Sequence, residues 1–440
     1  MPTLDTLSVA ELRDRRDQAR ARYDAFRQRG LDLNMSRGKP SEAQLDLANR
    51  LLELPGTDDY RAADGTDCRN YGGSLQGLPE ARALFSGLLG APVEQILIAA
   101  NASLTLMHDL LAFALLTSVP DGRGPWSAEA PITFLCPVPG YDRHFALCEQ
   151  YGIRMVSVPL TGHGPDMDRI EALVADDPSI KGMWCVPKYS NPTGEIYSDE
   201  TVERLARMKT AAPDFRLFWD NAYAVHHLTG TPYDVANILE ACERHGTPNR
   251  PFVIASTSKI TLAGAGLGLF AASPENMRGL VERMSRQTIG PDKVNQLRHV
   301  RFLRDQAGLM AHMEKHREIL APKFRAVLDT FAERLGGTGV ATWTEPKGGY
   351  FISLDVLDGC ATRIVELAKG AGIALTGAGA TFPYGRDPHD RNIRIAPTYP
   401  SVEEVKQAAE GVALCTLLAT TEALLAGRDT QPIAAAAPAV

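Results

Sequence analysis

The sequence predicts an α/β fold, with a large unit on a mostly parallel sheet and a smaller α+β unit after it. Three observations carry that prediction. Apolar runs of four to six residues alternate with helical stretches, most of the runs end in a turn of small or polar residues, and the pattern changes after about residue 310. In parallel sheets connected by helices, ligands gather beyond the carboxyl ends of the strands. Chemistry is therefore expected at the strand ends.

Residues 8–29 carry Leu12, Ala19, Tyr23 and Phe26 at helical spacing among many charges, which predicts an amphipathic helix. The polar stretch Leu33 to Pro40, broken by Gly38 and Pro40, is either a connector or a loop presenting Arg37 and Lys39 to an acidic ligand. A glycine-rich loop, Cys68 to Gly77, contains Tyr71 and enters a helix. The strand Gln95 to Ala100 then feeds a helix through Asn101, Ala102 and Ser103. That arrangement is either an ordinary helix start or an anion site made by free backbone N–H groups.

Further strands are read at Ile132 to Cys136, Arg154 to Pro159, Lys181 to Val186, Arg216 to Trp219 and Phe252 to Ala255. Their ends bring forward Tyr141, Asn191, Asp220 with Tyr223, and Ser256-Thr257-Ser258-Lys259. Beyond residue 303 a long helix is predicted to 335, ended by Gly336-Gly337. A strand over Gly348 to Asp355, a helix over Arg363 to Lys369, a glycine-rich turn at 377–379, a strand Asn392 to Ala396 and a helix from Val402 complete the smaller unit. The expected division is residues 1–50 joining the small domain, 51–310 as the large domain, 311–426 as the small domain, and 427–440 as a disordered tail.

With 440 residues, 44% of them hydrophobic, the chain can bury a large core. A net charge of -7 argues against nucleic acid or an anionic membrane as partner and leaves small molecules. Seven scattered cysteines without a C-x-x-C pair are expected to be reduced, packed thiols. There is no basic, then apolar leader and no run of about 18 uninterrupted apolar residues, so the cytoplasm is the expected location. Gly264, Gly266 and Gly268 do not complete a dinucleotide fingerprint, because Leu269 stands where its last glycine belongs. Gly-x-Ser-x-Gly is absent, and the adjacent His226 and His227 point apart in regular structure, so neither a hydrolase elbow nor a metal site is expected.

Lys259 organises the remainder. An amine among Ser, Thr, Ala and Gly loses hydration, which disfavours the ammonium and frees a nucleophile toward carbonyl carbon, the chemistry of a Schiff base. Ser256 and Ser258 offer hydroxyls for an anionic group beside it.

Asn191-Pro192-Thr193-Gly194, then Asp220-Asn221-Ala222-Tyr223, then Ser256-Thr257-Ser258-Lys259, with Arg394 further on, resembles the class I and II aminotransferases of fold type I. The resemblance spans roughly residues 30–425. The run Asn34 to Pro40 is similar to that of bacterial aspartate aminotransferases labelled as related to the MocR regulators. It implies a seven-stranded, mostly parallel sheet, pyridoxal 5'-phosphate bound through Lys259, and a homodimer with shared active sites. Asp220 would pair with the pyridine nitrogen, Asn191 and Tyr223 with the ring oxygen, and Tyr141 with the ring face. His144 would stand behind Asp220 or be a packed histidine. Asn101, Ala102, Ser103, Ser256 and Ser258 would hold the phosphate, with Tyr71 reaching in from the other subunit.

Arg394 would grip the substrate α-carboxylate, and Gly38 would belong to a loop closing over the substrate. Arg37, Lys39, Arg69, Arg286 and Lys293 are candidates for a side-chain carboxylate. Most relatives carry arginine eight residues after the lysine, where this chain has Leu267. The implied substrates are aspartate or glutamate with 2-oxoglutarate. A PLP-dependent lyase, an aminotransferase for neutral or aromatic donors, and an effector-sensing regulatory module are the alternatives. The last would need a DNA-binding domain ahead of the fold.

Overall fold

A computed structural model describes residues 3–129 and 131–429. Its central sheet has the strand order Ile96–Ala99, Gly268–Ala271, Pro251–Ser256, Arg216–Asp220, Ile180–Cys185, Thr133–Val138 and Arg154–Pro159. Neighbours run parallel, except that Gly268–Ala271 pairs antiparallel on both sides. The seven-stranded expectation therefore holds. The period-2 alternation of strand side chains divides the core in two. Leu217, Trp219, Val253 and Ala255 join one apolar cluster, whereas Phe218, Phe252 and Ile254 join the other. Both faces are covered, which explains why these strands read as continuous apolar runs.

The smaller unit has an antiparallel sheet ordered Asn392–Ile395, Ile352–Val356, Ala341–Trp343. Helices Gln306–Leu335, Ala361–Gly370 and Val402–Asp429 pack with it. The N-terminal helix Val9–Arg27 opens with a capping box between Ser8 and Glu11 and buries Leu12, Ala19, Tyr23 and Phe26. Its Ala19, Tyr23 and Phe26 share a cluster with Phe331, Ile352 and Val412, and Leu33–Asn34 pairs in parallel with Ile373–Ala374. The helix from Val402 is long and apolar enough to cross a membrane, but 67% of its apolar window is buried inside the protein, as in a core helix. All seven cysteines are buried and unpaired.

The structure adjusts the sequence reading at four places. Gly268–Ala271, at the end of the glycine-rich segment and not among the expected strands, is a strand whose four residues are all buried. Four residues, the first of them glycine, gave no usable periodicity. The helix expected over 303–335 is found as Gln306–Leu335, starting three residues later, and a separate helix that was not expected, Lys293–Leu303, precedes it. Arg304 takes φ +67, Asp305 caps Gly308, and a Cβ on Gly308 would lie 1.9 Å from the Leu303 carbonyl oxygen. The strand expected from Gly348 starts at Ile352, because Gly348 and Gly349 turn against the Tyr189 side chain. Gly427 and Arg428, assigned to a disordered tail, continue the last helix, and Arg428 donates to the carbonyls of Asp5 and Leu7. The rest of that expectation, from 430 onward, lies outside the described residues.

Candidate active site

Asp220 is the last residue of its strand, and the following amide, Asn221 N–H, donates to Ile254 O across the sheet at 2.7 Å. This pairing fixes Asp220 beside the neighbouring strand, which ends at Ser256 and leads to Lys259. His144 stands behind the carboxylate: its Nε2 lies 3.0 Å from Asp220 Oδ2, and both side chains are almost wholly buried. Trp184 stacks on the imidazole at 4.3 Å with planes 8° apart, and Tyr141 meets it edge-on at 4.9 Å. Of the two alternatives for His144, the buttress is observed. The second carboxylate oxygen, Oδ1, is buried without a hydrogen-bond partner. A buried unpaired acceptor is costly, so it is suited to an N–H donor on a bound ligand.

Lys259 Nζ lies 5.0 Å from the Tyr223 ring centroid and 5.9 Å from that of Tyr350. Burial lowers its pKa, opposed by the nearby Asp220 carboxylate. Its peptide carbonyl accepts from His226 Nε2 at 3.2 Å and from the Tyr350 hydroxyl at 3.4 Å. The two adjacent histidines indeed diverge: His226 serves the lysine backbone, while His227 Nδ1 lies 2.7 Å from the Tyr189 hydroxyl. Burial pushes the Tyr223 hydroxyl pKa well up and that of Tyr141 to about 12, so both remain neutral donors.

A cavity of about 490 Å³ joins these groups to the small sheet. Lys259, Tyr223, Tyr141 and Asn191 line it together with Arg394, Arg37, Gly38 and Lys39. Arg394 projects from the strand Asn392–Ile395. Its Nη1 reaches Asp142 Oδ1 at 2.8 Å and Asn191 Oδ1 at 3.4 Å, and its Nη2 reaches Thr376 Oγ1 at 3.3 Å. The guanidinium carbon stands 4.9 Å from the Phe351 ring centroid. A Cβ on Gly38 would come within 2.4 Å of that same ring, so glycine lets the loop lie flat on it. The stretch left open as connector or site loop is therefore a wall of the cavity.

A second group gathers around Gly266, where a Cβ would stand 2.8 Å from Asn101 O and 3.1 Å from Ser258 Oγ. One on Gly268 would stand 3.0 Å from Ala102 O. Ser256 is opposite Gly268 in register, and Ser103 begins the helix Ser103–Leu116. Asn101, Ala102, Ser103, Ser256 and Ser258 are thus assembled near free helix N–H groups. Leu267 is 2% exposed, belongs to the larger apolar cluster and donates its N–H to Thr257 Oγ1.

Tyr71 is not brought to the main cavity: it is 80% exposed and lines another, of about 530 Å³, with Arg69, Ile289 and Lys293. Arg69 pairs with Asp67, and Arg286 with Glu282. Sequence reasoning missed Asp142, Arg143, Phe351, Leu375, Thr376 and Gly377 as cavity residues. Asp142 and Arg143 sat beside Tyr141 in a strand-end turn already singled out, a signal that could have found them. Phe351 was hidden by the mistaken strand.

The family profile described as aspartate amino-transferase matches residues 7–428. An aspartate aminotransferase of Corynebacterium glutamicum is 50% identical over 406 residues, covering 92% of this chain and 94% of that protein. The crystal structure of an aspartate transaminase from the same organism superposes with a TM-score of 0.94 at 48% identity, covering 96% of this chain and 99% of the other. An α-aminoadipate aminotransferase of Thermus thermophilus, complexed with N-(5'-phosphopyridoxyl)-L-leucine, shares the fold at TM-score 0.70 and 20% identity, covering 92% and 98% of the two chains. The chain therefore belongs to the aspartate amino-transferase family and is a pyridoxal 5'-phosphate-dependent aminotransferase.

Proposed function

We propose that Lys259 carries the cofactor and moves the reacting proton, and that the amino donor is a dicarboxylic amino acid, aspartate or glutamate, with a 2-oxo acid as acceptor. The orphaned Asp220 Oδ1 is the observation that carries the reading, because a pyridinium N–H is the donor it lacks. When bound, pyridoxal phosphate supplies an electron sink that lets the bond to the substrate's α-hydrogen break. Asp220, backed by His144, holds a proton on the pyridine nitrogen. Asn191 and Tyr223 donate to the ring oxygen, and Tyr141 covers a ring face. Lys259, its ammonium disfavoured by burial, would take the proton from the substrate Cα as the neutral amine and hand it to the cofactor carbon C4', on the other side of the substrate nitrogen.

The amides of Asn101 and Ala102 and the hydroxyls of Ser103, Ser256 and Ser258 hold the phosphate, and helix amides with hydroxyls do the work of the arginine that Leu267 displaces. In the proposed cytoplasmic homodimer, the partner subunit's Tyr71 completes that end. The exposure of Tyr71 and of Ile289, at 80% and 73%, supports such a contact surface. Residues 1–50 and 311–426 act as one small domain against the large one, a division supported by their shared core.

Arg394 takes the α-carboxylate through its planar fork, and Gly38 closes the loop above it. Arg37 takes the second carboxylate. Arg37 and Lys39 both line the cavity, but Lys39 is engaged over the Tyr399 ring at 3.7 Å, and Arg69 and Arg286 have acidic partners elsewhere. The high identity to an aspartate aminotransferase of C. glutamicum supports the same substrate class. The test is a panel of amino donors with 2-oxoglutarate. Aspartate or glutamate should rank first, and a preference for aromatic or neutral donors would refute the substrate class.

A further inference from the structure

Among the described residues, Asp142 is the one acidic side chain lining a cavity that also presents Arg37, Lys39, Arg143, Lys259 and Arg394. Of these cations it has chosen Arg394, at 2.8 Å. The two partners differ in their access to water: the Arg394 side chain is 6% exposed and that of Asp142 33%. Burying a guanidinium without a counter-charge is costly, so Asp142 stabilises Arg394 in place. The aspartate itself can turn toward solvent at much smaller cost.

The nitrogens of Arg394 are not equivalent. Nε is buried and has no hydrogen-bond partner. Nη2 makes a long contact to Thr376 Oγ1, whose hydroxyl donates to Ser36 O in the loop above. A carboxylate gripped end-on by the guanidinium uses Nη1 and Nη2 together, and Nη1 is held by Asp142.

We propose that Asp142 is an internal competitor for the substrate-carboxylate site: its carboxylate occupies Arg394 Nη1, and substrate binds by displacing it. The inference rests on the proposed role of Arg394. A transaminase must release an amino acid or oxo acid after each half-reaction, and every one of these carries an α-carboxylate. Exchange of one carboxylate for another keeps the guanidinium compensated throughout, while limiting the affinity for each ligand. Asp142 thus weakens binding of donor, acceptor and product alike, and so favours release.

The test uses the cofactor-loaded full chain with Asp142→Asn and Asp142→Ser, both compatible with the start of the helix Asp142–Gln150. Steady-state KM is measured for the donor and the 2-oxo acid that the panel ranks first. Calorimetry gives the Kd of that donor's α-methyl analogue, which lacks the Cα hydrogen. Both variants should lower the two KM values together, and the Kd likewise, by about tenfold, without raising kcat. Unchanged or weaker binding in either variant overturns the proposal, since a residue that only orients Arg394 would loosen binding when neutralised. Arg394→Ala separates the two levels. If it leaves analogue affinity intact, the role of Arg394 fails and the competitor falls with it. If it abolishes affinity, the Asp142 variants judge the competitor alone.

Discussion

At Asp220 the site is assembled from side chains that hold one another, whereas at Gly266 it is assembled from backbone brought close because side chains are missing. The first end uses a buried carboxylate, a histidine clamped against Trp184, and a lysine whose carbonyl is pinned by His226 and Tyr350. The second uses a helix start, small hydroxyls and a leucine in the place of a cation. A charged partner at the first end has no substitute nearby. At the second, several weak donors would share one task, so loss of any one should be tolerated. This difference sets the order in which the two ends should respond to substitution.

Lys259→Ala should have the largest effect, removing at least about 10⁴-fold of kcat with the fold intact by circular dichroism. Retained turnover would break the comparison at its strongest point. Asp220→Ala should follow, with kcat lower by about 10³-fold, because it leaves His144 without its partner and the pyridine nitrogen without its acceptor. Leu267→Arg sharpens the other end. Restoring the arginine common among relatives should not tighten the cofactor, because the position faces the core, and should cost about 4 kcal/mol in chemical denaturation. Tighter cofactor binding in that variant would show that the phosphate end does seek a cation there.

A pH prediction follows from His299 behind the lysine loop, whose ring lies 3.2 Å from Thr257 Oγ1 and 2.9 Å from Thr261 Oγ1. Burial lowers its pKa from 6.5 to about 4. The unfolded chain therefore binds this proton more readily, and the stabilisation, complete above pH 6.5, is lost as pH falls toward 4. The slope should be about 1.4 kcal/mol per pH unit for this group, and His299→Gln should flatten denaturation curves across that window. Smallest of all, Ser256→Ala should weaken cofactor binding by about fivefold, near 1 kcal/mol for one shared hydrogen bond.

Legibility in the sequence divided along the same line. Lys259, Asp220, Asn191 and Tyr223 were readable because each follows an apolar strand, where side-chain chemistry at a parallel sheet's carboxyl end has few structural uses. The sheet itself was readable from its runs, apart from Gly268–Ala271, whose identity as a strand depends on neighbours far away in sequence. Phe351 and Thr376 became site residues only through the docking of the small sheet against the large one, whereas Asp142 stood next to Tyr141 at a strand end already read as chemical. The break at Arg304 depended on one backbone angle and a cap. Local periodicity carries neither kind of information.

The central claim is that Lys259 holds the cofactor. Borohydride reduction of the loaded enzyme, followed by peptide mass spectrometry, tests it directly. The account predicts a pyridoxyl adduct on the peptide containing Lys259 and on that residue alone. An adduct on another lysine, with Lys259 unmodified, would contradict it.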